Sequence, residues 1–187
     1  MQYGDEKIIA ARIAAAEHEK LSIAKRVEIN DISYEFASRS IRNIFSMTMP
    51  TNFEELSGNL AAIKYPSVKR PEIILSNPDS TVDIFFECGD REMDSSLKNR
   101  ITKNKAIVKE LHKSYVFFSI RAGNNLAYYD FRSHALDGDI YNLWFLADLP
   151  DNTIFGGFSC PIRWQPQWQL LAPQMLQSIT ALPHKKE

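Results

Sequence analysis

His134, Arg132 and Asp130 occupy alternate positions in the run LAYYDFRSHA, so a strand there places an imidazole, a guanidinium and a carboxylate on one face. Converging in a concavity, those three groups could bind an anion or move a proton. This gives one reading of the chain: a small-ligand-binding protein or an enzyme with a pocket around Asp130, Arg132 and His134. Set against it is the commoner outcome of such alternation, a solvated strand face. The remaining histidines, His18, His112 and His184, are scattered, and no pair has the HxxxH or HExxH spacing that puts two ligands on one helix face. Neither a metal site nor any cofactor is expected.

Cys88 and Cys160 each end an apolar strand-like run, a setting that suits a small buried side chain better than a thiolate nucleophile. Gly156 and Gly157 do not open a helix as a phosphate loop does, and mark a bulge or a close backbone approach instead. Lys64, Lys69 and Arg70 gather beside Tyr65 in KYPSVKRP, a basic cluster that reads as a solvated, proline-flanked loop. No catalytic signature emerges, and the expectation is a protein that is not an enzyme.

These residues are carried by elements that the patterning marks out. Residues 5–26 are rich in Ala, Glu, Lys and Ile and predict a helix with a thin apolar stripe. VEINDISYEF and RNIFSMTM read as strands, and Thr51 with Glu54 has capping-box spacing for a short helix over TNFEELSGNLAAI. PEIILS and TVDIFFEC, joined by NPDS, form a hairpin with Val82, Ile84, Phe86 and Cys88 on one face. Positions 94–113 are helical, with Leu97, Ile101, Val108 and Leu111 as the apolar stripe. Four strands follow, and a C-terminal helix carries Trp164, Trp168, Leu171, Met175 and Ile179, with Pro173 expected to kink or split it.

Asp137-Gly138 predicts a two-residue type I′ turn that pairs Ala135 with Ile140. One face then holds Tyr129, Phe131, Ser133, Ala135, Ile140, Asn142, Trp144 and Leu146, and reads as core. The other holds Tyr128, Asp130, Arg132, His134, Tyr141, Leu143, Phe145 and Ala147, a mixture of aromatic and charged groups typical of interaction surfaces. Tyr128, Asp130, Arg132, His134, Tyr141 and Phe145 are therefore the candidate partner-binding residues, expected to be at least partly exposed. The competing reading is that another part of the chain covers the aromatic ones.

Composition bounds the rest. The chain has 187 residues, 44% hydrophobic and 24% charged, with eleven Phe, seven Tyr and three Trp, enough to bury a core without disulfides. A net charge of −1 supplies no global positive field, so nucleic acid is not an expected partner. No run is long enough to span a bilayer, and Arg12 interrupts the only early apolar stretch, so neither a membrane nor a signal peptide is expected. Two cysteines fit a reducing compartment, and a cytoplasmic location is expected.

The segments FSMTMPTNFEEL, KYPSVKRP, ALDGDIYNLWF and GGFSCPIRW, with the downstream Trp168 and MLQSI, resemble bacterial members of the Mog/PsbP-like superfamily over Ile44 to Ile179. The resemblance implies an α+β fold, a mostly antiparallel sheet flanked by helices on both faces, used to bind other proteins. It carries over no catalytic residues. The expected organisation is an N-terminal helical extension over 1–26 and a single α+β domain over 27–187. The expected function is a non-enzymatic protein-binding module, an adaptor or chaperone, whose partner is another protein. A structural subunit that homodimerises through the same aromatic residues is the other alternative.

Overall fold

A computed structural model describes residues 25–91 and 95–183. Among them, eleven strands form two antiparallel sheets. Strands β1 (Arg26–Ile29), β2 (Ile32–Ile41), β3 (Phe45–Pro50) and β11 (Thr180–Ala181) make the smaller sheet, in that order. The larger has β4 (Glu54–Glu55), β5 (Ile73–Ser76), β6 (Asp83–Asp90), β10 (Asn152–Pro161), β9 (Gly138–Asp148), β8 (Leu126–Ala135) and β7 (Val116–Ala122) from one edge to the other. Helices α1 (Gly58–Lys64), α2 (Leu97–Leu111) and α3 (Gln165–Gln177), with a single 3-10 turn at Ile162–Trp164 leading into α3, complete the described elements. The expected extension over 1–26 lies outside the described residues except for Lys25 and Arg26, and Arg26 opens β1.

One face of the large sheet, here the inner face, packs on the small sheet and α3. Phe45 from β3 meets Phe86 edge-on at 5.3 Å between ring centroids, and Phe86 meets Phe145 at 6.3 Å. Trp168 from α3 closes the layer against Tyr34 at 5.3 Å and Phe158 at 4.9 Å. The outer face is covered by α2, whose Leu97 and Ile101 bury Ala127, Tyr129 and Phe131. Ser96 caps that helix by accepting a hydrogen bond from the Asn99 backbone, and Arg100 ties it to the sheet through a buried ion pair with Asp148. Helices thus flank the sheet on both faces, as expected of this α+β architecture.

Two local expectations are corrected, and of the two outcomes expected at Pro173 one is ruled out. Thr51 does not start a helix: Glu54–Glu55 pair with β5 as a short strand, and α1 begins only at Gly58, after Ser57. Strand pairing, a tertiary effect, overrides the capping-box spacing. Pro173 sits inside α3 without splitting it. The carbonyl that loses its partner belongs to Gln169, an exposed residue where water can satisfy it. The β8–β9 register pairs Ala135 with Gly138 and Ser133 with Ile140, two residues away from the expected pairing. Leu136 and Asp137 form the turn, and of the residues around it only Gly138 has a positive φ, 137°. A slip of two preserves strand parity, so the same residues still share each face.

Candidate functional site

The candidate residues lie on the inner face of β8 and β9, and the hairpin aligns them in cross-strand pairs: Tyr128 with Phe145, Asp130 with Leu143, and Arg132 with Tyr141. The expected partial exposure holds at Tyr128, which is half-buried, and fails at Tyr141 and Phe145. Tyr141 is 1% exposed and Phe145 0%, both inside the core between the sheets. The physical reason is the second layer: β2, β3 and α3 fill the space over β9, so those rings serve internal packing. Burial, with Asp130 nearby, pushes the Tyr141 hydroxyl well above its usual pKa.

Asp130 is also buried, and its carboxylate is committed within the fold. Its Oδ1 accepts hydrogen bonds from the Ser119 backbone N–H and hydroxyl, both at 2.8 Å, and its Oδ2 accepts one from Tyr141 at 3.3 Å. The β7–β8 register shifts between Phe117 and Ile120, so Phe118 and Ser119 together stand opposite Asp130. Asp130 therefore holds a β-bulge in the edge strand, satisfying the donor that the bulge removes from the ladder.

Arg132 and His134 do come together, through Asp139. Arg132 Nε lies 3.5 Å from Asp139 Oδ2, and His134 Nδ1 lies 2.6 Å from Oδ1, while His134 Nε2 faces the Ser114 carbonyl at 3.1 Å. Both remain accessible, with side chains 38% and 46% exposed. The three groups do not converge on a pocket: Asp130 turns to β7, whereas Arg132 and His134 share a surface carboxylate.

The solvent-accessible part of this face extends onto β7, which sequence reasoning did not include. Val116 stands directly opposite Arg132 and is 39% exposed, and Phe118 is 45% exposed. Cover by the small sheet ends near Tyr128, because the inner core draws its residues from β5, β6, β9 and β10 and only touches β8. The signal was present in SYVFFSIR, where Val116 and Phe118 alternate with Phe117, the residue that stacks on Phe131 at 5.3 Å.

Elsewhere the chemistry-bearing residues are structural. Burial raises the pKa of both the Cys88 and Cys160 thiols, away from the thiolate a nucleophile requires. Lys64 binds Asp83 at 2.5 Å, and Tyr65 donates to the same carboxylate at 3.3 Å, so this lysine stands apart from the exposed Lys69 and Arg70. The Gly156-Gly157 pair is a site of close approach. A Cβ on Gly156 would lie 2.6 Å from the Phe85 carbonyl oxygen, and one on Gly157 would lie 2.8 Å from the Trp144 ring. No helix among the described residues is long and apolar enough to cross a membrane.

No protein-family profile matches the chain, and no curated protein matches it in sequence. Solved structures do. The chain is similar to cyanobacterial PsbP (CyanoP) from Synechocystis sp. PCC 6803, with a TM-score of 0.54 and 10% identity over 78% of this chain and 92% of that one. It is also similar to LpqN, involved in cell envelope biogenesis of Mycobacterium tuberculosis, with a TM-score of 0.51 and 10% identity over 74% and 83% of the two chains. The fold is PsbP-like, as the resemblance implied.

Proposed function

We propose that this protein is a non-enzymatic protein-binding module, an accessory protein or adaptor, that docks another protein on the open inner face of β7 and β8. The observation that supports the reading most is the pairing of exposed Val116 and Phe118 with accessible Arg132 and His134 on strands that the second layer leaves uncovered. An aromatic ring and an aliphatic side chain beside an arginine belong to the side-chain mixture that protein interfaces favour. Asp130 is the positioning residue, since it fixes the bulge that sets Phe118 relative to Arg132. Cyanobacterial PsbP and LpqN, the latter involved in cell envelope biogenesis, are likenesses of fold, and this accessory role is argued from the surface. A reducing, cytoplasmic compartment suits the two free cysteines.

The test is affinity capture from the source cell with wild-type protein and with Phe118→Asp and Arg132→Glu variants, together with sedimentation velocity of each. A partner retained by the wild type and lost by both variants, at unchanged melting temperature, supports the proposal. Equal retention by wild type and variants, or no partner on wild type, rejects it. A wild-type dimer that Phe118→Asp dissociates replaces it with the homodimer reading.

A further inference from the structure

At the end of the sandwich away from the β8–β9 turn, a cleft of about 840 Å³ opens between the layers. It lies between the β7–β8 turn, the β9–β10 turn and the segment that leaves α3 for β11. Its walls at Leu126, Leu149, Leu176 and Ile179 are apolar, and its size is that of an ordinary small-molecule site.

Charge decides what such a cleft accepts. The described residues that line it include two charged ones, Arg121 and Asp148. Asp148 is already neutralised: the Arg100 guanidinium binds its Oδ2, and Thr153 donates to its Oδ1 at 2.8 Å. Arg121 makes no ion pair or hydrogen bond among the described residues, so it is the one uncompensated charge in the lining. Its field opposes the rise in the Tyr128 pKa that burial causes, which places the guanidinium within electrostatic reach of that hydroxyl. The Asn124 and Asn125 side chains, also in the lining, make no hydrogen bond among the described residues and add neutral donors.

The last turn of α3 borders the cleft but does not compete for the cation. The Met175 and Leu176 carbonyls are taken by the backbone N–H groups of Ser178 and Ile179. With one guanidinium and no second cation among the described residues that line it, the site suits a monoanion better than a phosphate dianion.

We propose that this cleft binds a small organic carboxylate with an apolar tail, Arg121 taking the carboxylate, Asn124, Asn125 and Tyr128 supplying neutral hydrogen bonds, and the leucine and isoleucine walls covering the tail. The cleft lies on the same face of β7 and β8 as the docking surface but does not include Val116, Phe118, Arg132 or His134, so small-molecule probes test it independently of those four residues.

Octanoate, 1-octanol and acetate serve as probes in amide NMR titrations of the whole chain. Octanoate is expected to shift the Gly123–Leu126 and Ile179 amides saturably, with 1-octanol and acetate each at least about tenfold weaker, the worth of a lost charge-assisted contact or of a lost apolar tail. Arg121→Gln, a change at an exposed residue, is expected to weaken octanoate to a similar degree while leaving the other amide resonances in place. The assignment is overturned if 1-octanol binds as well as octanoate, if Arg121→Gln binds octanoate unchanged, or if octanoate gives no saturable shift up to its solubility.

Discussion

Arg132 and Tyr141 are cross-strand partners on the same face of the same hairpin, yet the Arg132 side chain is 38% exposed and Tyr141 only 1%. Nothing in the hairpin itself separates them. The difference arises in the layer above, where β2, β3 and α3 reach β8 near Tyr128 and stop short of its Arg132 end. Alternation along a strand determines which residues share a face, whereas burial depends on how far a second element, often distant in sequence, reaches across it.

The covered end should respond most strongly to truncation. Phe145→Ala removes a fully buried ring that links Phe86 to the rest of the inner core, and an expected loss of about 3–5 kcal/mol would appear in urea or thermal unfolding. A cost below about 1 kcal/mol would mean that the second layer packs loosely there, and the contrast with Arg132 would collapse. Next comes Gly156→Ala, which adds a methyl group where the Phe85 carbonyl oxygen and the Phe145 ring leave no room. Overpacking at such a site costs about 1–3 kcal/mol. Combining it with Phe145→Ala should recover part of that cost, because the truncated ring vacates the space, and a double-mutant cycle reads the coupling directly. The smallest effect belongs to the uncovered end. Arg132→Ala should change stability by less than about 1 kcal/mol, since a half-exposed ion pair contributes little, and an unfolding curve matching the wild type would sharpen the comparison.

Much of this was legible in the residues. The hairpin over Ile73 to Cys88 and the strands from Val116 to Cys160 follow from alternation and turn chemistry, and the grouping of residues onto the two faces of β8 and β9 held despite a register displaced by two residues. On β9, however, the face expected to be open, with Tyr141, Leu143, Phe145 and Ala147, is the buried one, and the expected core face, with Ile140, Asn142, Trp144 and Leu146, is only half-buried. The displacement follows from Leu136, which is fully solvated in the turn although its apolar character suggested a strand position. What alternation could not convey is the small sheet lying over β9, because that contact joins residues 34–49 to residues 141–160, and no local pattern encodes a pairing of layers. The candidate set therefore included three buried residues, Asp130, Tyr141 and Phe145, and left out the exposed Val116 and Phe118 of the edge strand β7.

The bulge that Asp130 holds has a further consequence, for solubility. Edge strand β7 presents exposed Val116, Phe118 and Ile120, the kind of apolar rim along which identical chains can join strand to strand and grow into fibres. The register break at Phe118-Ser119 divides that rim into two short stretches that are out of step, so an incoming chain pairs with one and loses the other. A single carboxylate thus interrupts the ladder that a polymerising chain would have to extend.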